Sequence, residues 1–154
     1  MTTDTFRNVE GRKVVASDTA ESIGSVKGFV LDAGGRTIEA IHVDGHGRRA
    51  MILAWPAVQA FGADVVMANA GADRSTIDSD HQKAAVKGVV AMLGTRVLTV
   101  EGHELGIVDD VEFDTGSGAV VRVTTNHGPV DAHRLRSLGS YALVVDEATP
   151  STER

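Results

Sequence analysis

The chain has 154 residues, a net charge of −6 and no cysteine, which excludes disulfide frameworks and cysteine-ligated zinc or iron–sulfur centres. A net negative chain is also a poor non-specific ligand for phosphate backbones. Met1 to Phe6 carry neither the basic start nor the apolar core of a leader, and the apolar runs, Val89 to Leu93 among them, are far short of the ~20 residues a membrane span needs. The expectation is a soluble, cytoplasmic protein.

In chain order, Met1 to Val9 read as a frayed start. Short β-branched or alternating runs bounded by Gly, Asp or Ser then predict strands near Lys13–Ser17, Val26–Asp32, Thr37–Val43, Arg48–Leu53 and Val65–Ala68. Asp44-Gly45 predicts a tight hairpin between the third and fourth strands. Pro56-Ala57-Val58-Gln59 predicts a turn of helix, since proline is well placed in a first turn. A polar stretch from Asn69 to Thr76 follows, then Ser79-Asp-His-Gln82, which fits a capping box opening a short helix from about Asp80 to Lys87. Further strands are predicted near Arg96–Val100, Ile107–Asp114, Ala119–Thr125, Pro129–Ala132 and Ala142–Asp146, with a hairpin at Asn126-His127-Gly128. Thr149 to Arg154 read as a frayed end.

The second series repeats the first. Gly11, Val14, Ile23-Gly24, Val26, Asp32 and Phe61-Gly62 return as Gly94, Val97, Leu105-Gly106, Val108, Asp114 and Leu138-Gly139. This internal repeat is the strongest signal in the chain. Units of this size bury only about 60% of their unfolded surface and are marginal alone, so the copies are expected to depend on packing against each other or against another chain.

The repeated pattern resembles the PRC-barrel, the domain of the photosynthetic reaction-centre H subunit that also forms the C-terminal half of the ribosome maturation factor. The resemblance implies a small all-β barrel used as an adaptor, with no shared catalytic residues. It gives an all-β chain of two tandem PRC-like barrels joined by a polar linker with one short helix. Residues 1–68 form the first barrel with an N-terminal extension, 69–93 the linker and helix, 94–147 the second barrel, and 148–154 a disordered tail.

No residue constellation carries recognisable chemistry. His42, Asp44 and His46 cluster at the first hairpin, but a metal site needs three or four converging ligands with support behind them, and turn chemistry explains these residue types. Ser137, Ser140, His133 and Asp131 lack any nucleophile-elbow signature. Gly45-His-Gly47 is too short for a phosphate loop. Arg48-Arg49 and Arg134/Arg136 are sparse, with only Trp55 and Phe61 nearby for base stacking. No catalytic residue, cofactor or metal is expected.

Two asymmetries remain. Residues 11–67 balance six basic against six acidic side chains, whereas 94–147 hold four against nine. Part of that excess is a row, Asp110, Glu112 and Asp114, that strand alternation puts on one outward face, where the first copy has Gly28, Val30 and Asp32. Trp55 is the second asymmetry, since the second copy has Ala132 there. Trp55, Asp110, Glu112 and Asp114 are therefore the candidate partner-binding residues. A solvated face is the plainer explanation of the row, and core packing that of the tryptophan. The expected function is a non-catalytic cytoplasmic adaptor or scaffold with a protein partner. Self-association is left open and DNA is not expected. The alternative is an RNA- or ribosome-associated maturation factor.

Overall fold

The computed structural model describes residues 2–45, 51–69, 74–76 and 91–148. The chain begins with β1 (Thr3–Thr5) and a single turn of helix, α1 (Phe6–Val9). It continues through β2 (Lys13–Ala16), β3 (Ser22–Leu31), β4 (Ile38–Gly45) and β5 (Met51–Ala54). A 3₁₀ turn, Trp55–Ala57, leads to β6 (Val58–Phe61), β7 (Val65–Ala68) and β8 (Arg74–Thr76). The second unit runs β9 (Arg96–Thr99), β10 (Glu104–Asp114), β11 (Val120–Thr125) and β12 (Gly128–Asp131). A 3₁₀ turn, Ala132–Arg134, then precedes β13 (Leu135–Leu138) and β14 (Ala142–Val145).

The two sheets share one topology. In the first the strand order is β6-β7-β2-β3-β4-β5-β8, and in the second it is β12-β11-β10-β9-β14-β13. The two sheets share one parallel pairing each, β7 on β2 and β14 on β9, while the remaining pairings are antiparallel. This is the tandem all-β architecture expected from the repeat. Alternation missed β6 and β13 because each carries a register irregularity, between Val58 and Ala60 and between Leu135 and Ser137, so their apolar residues fall out of a period of two. Asp44-Gly45 is not a two-residue turn: both residues lie in β4, opposite Ser25 and Gly24 of β3. The helix expected from Asp80 to Lys87 lies outside the described residues. The hairpin of the second unit does turn at Asn126-His127, with Thr125 paired to Gly128.

The N-terminus is not frayed, and it does not belong wholly to the first barrel. β1 pairs antiparallel with the far end of the second unit's β10, Thr3 to Asp114 and Thr5 to Glu112. The Thr5 hydroxyl caps α1 by accepting from Asn8 N–H, and Phe6 and Val9 are buried. Arg12 anchors this strap to the first unit through a largely buried ion pair with Asp4 at 3.1 Å, and it donates to the Gly62 carbonyl at 2.8 Å. On the other side, Arg7 N–H donates to Asp110 Oδ1 at 3.1 Å. Composition at the chain start hid this, because the strap is held by partners roughly a hundred residues away.

One apolar core runs through both units. At its centre is Phe113 of β10, fully buried. Phe6, Phe29, Trp55 and Phe61 surround it at ring-centroid distances of 5.6, 5.7, 6.2 and 5.5 Å. Phe6 and Phe29 stack on each other at 4.0 Å, and Trp55 and Phe61 at 5.1 Å. All four phenylalanines and the one tryptophan of the chain thus meet at the boundary between the copies, and four of the five come from the first.

Truncating Phe113 should therefore unfold both units together. Phe113→Ala is expected to cost about 3–5 kcal/mol, with far-ultraviolet circular dichroism and Trp55 fluorescence losing signal in one coincident transition. Two separate transitions, with only one of them shifted, would mean that the barrels are independent.

Candidate functional site

The loops that join the units carry a local two-fold relation. From Gly24 to Val43 the first copy is offset by 82 from Gly106 to Thr125 of the second, and Thr37 forms an antiparallel bridge with Ala119, its own equivalent. The flanking bonds are reciprocal: Ile38 N–H donates to Gly118 O at 2.9 Å, and Val120 N–H donates to Arg36 O at 2.7 Å. In both loops an aspartate ties the turn. Asp32 Oδ1 accepts from Arg36 and Thr37 N–H, and Asp114 Oδ1 accepts from Gly116 and Ser117 N–H.

Trp55 sits at this junction. Its ring lies over Gly118, where a Cβ would come within 3.0 Å of it, and its Nε1–H donates to Gly116 O at 3.3 Å. At the equivalent place on the other side the sizes are exchanged. Arg36 occupies the position equivalent to Gly118 and reaches the second unit's 3₁₀ turn, which has Ala132 where the first has Trp55. There Arg36 donates to Leu135 O at 2.7 Å and His133 O at 3.0 Å. The tryptophan asymmetry is thus matched by an opposite asymmetry in the facing loop. Each side has one large side chain and one small one.

The acidic row forms where alternation predicts, with Asp110, Glu112 and Asp114 outward and Val111 and Phe113 buried. Its members already have partners within the chain. Asp110 accepts from Arg7 and Val111 N–H, Glu112 forms an ion pair with Arg122 of β11 at 2.9 Å, and the Asp114 carboxylate closes its own turn. The row and Trp55 are not brought together as one surface of free groups. Across the sheet the two copies differ sharply. Where the second unit has Glu112 and Arg122, the first has Val30 and Ala40, buried with Ile52 in a separate apolar cluster.

His42 lies in this part of the first sheet, 9% exposed, on β4 opposite Gly28 and Ile52. Burial lowers its pKa below the ordinary 6.5, and Lys27 pushes the same way while Asp44 opposes. His46, the third member of that sequence cluster, lies outside the described residues. For the serine candidates, no hydrogen bond joins Ser137 or Ser140 to His133 or Asp131 among the described residues.

Sequence reading missed one group of potential ligands. Glu101 and His103 in the turn after β9, and Glu147 after β14, bring their donor atoms within 4.8 Å of one another. His103 Nδ1 is 3.4 Å from Glu147 Oε2, and a hydrogen bond from the Thr99 hydroxyl, then His103, holds the Glu147 carboxyl below its usual range. Parallel pairing of β9 and β14 makes these residues neighbours, and no spacing rule in the sequence signals it. Two carboxylates and an imidazole are chemically suited to a divalent cation, but Glu101 and His103 are exposed, Glu147 is half-buried, and an ion pair already accounts for the approach of His103 to Glu147.

A family model described as the PRC-barrel domain matches residues 1–81. Comparison with curated proteins finds no match.

Two measurements follow from this geometry. Gly118 has φ +78° and Trp55 against its Cβ position, so Gly118→Ala should lower stability by about 1–3 kcal/mol through strain and overpacking, read as a lower denaturation midpoint with altered Trp55 emission. An unchanged midpoint would show that the loop moves freely. Since His42 has a lowered pKa in the folded state, it binds fewer protons there than when unfolded. Its contribution is complete above pH 6.5 and is lost as pH falls from that value through the folded pKa. Asp4 acts further down: burial raises its carboxyl, but hydrogen bonds from Asn8 and Thr5 N–H and the Arg12 guanidinium outweigh this and hold it below 3.8. His42→Gln should remove the loss of stability between neutral and mildly acid pH and leave the Asp4 limb intact. A native-like slope in that variant would assign the titration to another group.

Proposed function

The chain belongs to the PRC-barrel family, small-barrel modules often used in protein interaction or assembly, and we propose that it is a non-catalytic cytoplasmic adaptor whose two barrels present different faces to protein partners. The observation that carries this reading is the divergence of outward chemistry on a conserved frame. The copies keep the same strand order, parallel closure and aspartate-tied loops. Where the first copy buries Val30 and Ala40 the second carries the ion pair Glu112–Arg122, and the net charges of the copies differ by five. Folding alone does not demand such a difference, whereas engaging two unlike surfaces does. No helix among the described residues is long and apolar enough to cross a membrane.

A protein partner is favoured over RNA by the use made of arginine. Arg12, Arg36 and Arg134 donate to carbonyl groups within the chain, and Arg122 and Arg136 are paired to Glu112 and Asp146. Phosphate binding would need such groups free and clustered.

The test starts from the full-length protein and the partners it retains from its host. The change Asp110→Asn, Glu112→Gln, Asp114→Asn should slow association with a basic partner by about threefold or more at low salt and flatten the salt response, since outward charges act mainly on encounter. Protein purified without an affinity tag is expected to hold no stoichiometric transition metal. An unaltered on-rate in the triple variant would remove the acidic row from the interface. A bound metal equivalent lost in His103→Ala would replace the non-catalytic reading with a metal-dependent one.

A further inference from the structure

Among the described residues the exposed large apolar side chains are Val100 at 50%, Ile107 at 46% and Tyr141 at 67%. All three lie on the second unit. The first unit has Ser17, Ser25 and Asp64 at the equivalent positions, so the barrel itself does not need apolar groups there. Tyr141 is held in place by Arg96, whose guanidinium lies 4.5 Å over the ring centroid and whose Nη1 donates to the phenol oxygen at 3.2 Å. Tyrosine and arginine are the residue types enriched at the energetic centres of interfaces.

The register of β9 and β10 arranges the outward side chains as a square. Ile107 is opposite Arg96 and Glu104 is opposite Leu98, while Val97 and Gly106, paired between them, are buried. Leu98 and Ile107 therefore occupy one diagonal, and Arg96 and Glu104 the other. Among the described residues neither Arg96 nor Glu104 has an ion-pair partner. A two-fold axis lying in the plane of this face along the apolar diagonal sets Leu98 and Ile107 against their own counterparts. The same axis sets Arg96 on the partner's Glu104 and Glu104 on the partner's Arg96. Such self-complementarity is what an isologous interface requires.

We propose that two copies of this chain associate face to face through the outward surface of β9 and β10, with Leu98 and Ile107 on the two-fold axis, reciprocal Arg96–Glu104 pairs beside it, and Tyr141 packed at its edge. The association goes beyond the adaptor role and does not rest on it, since no other protein takes part.

Sedimentation equilibrium of the full chain, from micromolar to millimolar concentration, tests this directly. The mass should rise from 16.1 kDa toward twice that value. Arg96→Glu or Glu104→Arg alone places like charges together and should weaken the dimer about tenfold or more, and mixing the two variants should restore association as a heterodimer. Ile107→Ser with Tyr141→Asp, the residue types of the first unit, should abolish the dimer in a chain whose circular dichroism is native, and this reads the face even if a charge variant fails to fold. A chain that stays monomeric throughout the range overturns the proposal. So does a dimer insensitive to these variants, and so does a mixture of the charge variants that remains monomeric.

Discussion

The structure depends on the burial of Phe113. Its ring belongs to the second unit, yet the four rings around it, Phe6, Phe29, Trp55 and Phe61, all belong to the first. Each unit has too little interior to be robust alone, and removing this ring from water takes groups from both. Aromatic pairs add about 0.5–1.5 kcal/mol each beyond area burial, so the cluster concentrates cohesion at the one place where the copies meet. The N-terminal strap is part of the same solution. Phe6 reaches the cluster because β1 adds to β10 and because Arg12 neutralises Asp4 in a setting where an unpaired charge would be costly.

Around that core the duplicated loops preserve a two-fold relation in the backbone and break it in the side chains. The reciprocal bonds of Ile38 and Val120 are equivalent, and Asp32 and Asp114 at equivalent positions each tie their own turn through different backbone donors. Trp55 over Gly118 and Arg36 over the Ala132 turn are complementary but not interchangeable. Pairing two first units would bring Trp55 against Arg36, and pairing two second units would leave Ala132 facing Gly118. Close packing makes the first crowded and the second hollow, so the mixed pair within one chain is the arrangement these side chains select.

With the interior and the junction occupied by structure, the outward faces are where the copies differ. The first sheet buries Val30, Ala40 and Ile52 where the second exposes a Glu112–Arg122 pair, and the second exposes Ile107 and Tyr141 where the first has Ser25 and Asp64. Because the two units share a fold, each serves as the control for the other: a feature present in only one is not required to form the barrel.

The repeat, the all-β class, most of the strands and the outward acidic row were legible in the sequence, because alternation and turn residues are local properties. The family was legible too, from glycines and aspartates such as Gly24, Asp32, Gly106 and Asp114 that recur in register. Other features were hidden, each for a physical reason. The strap reads as a frayed end because its partners lie in β10. Strands β6 and β13 lost their alternation to bulges, and Trp55 could not be assigned to a junction without seeing Gly118 beneath it. The approach of Glu101 and His103 to Glu147, and the Arg96–Tyr141 stack, exist only because β14 returns parallel to β9. The sequence by itself determined the two units and the pattern of their faces. Tertiary structure alone decided which side chains of one unit would complete the core of the other, because contacts between residues so distant along the chain leave no periodicity to read.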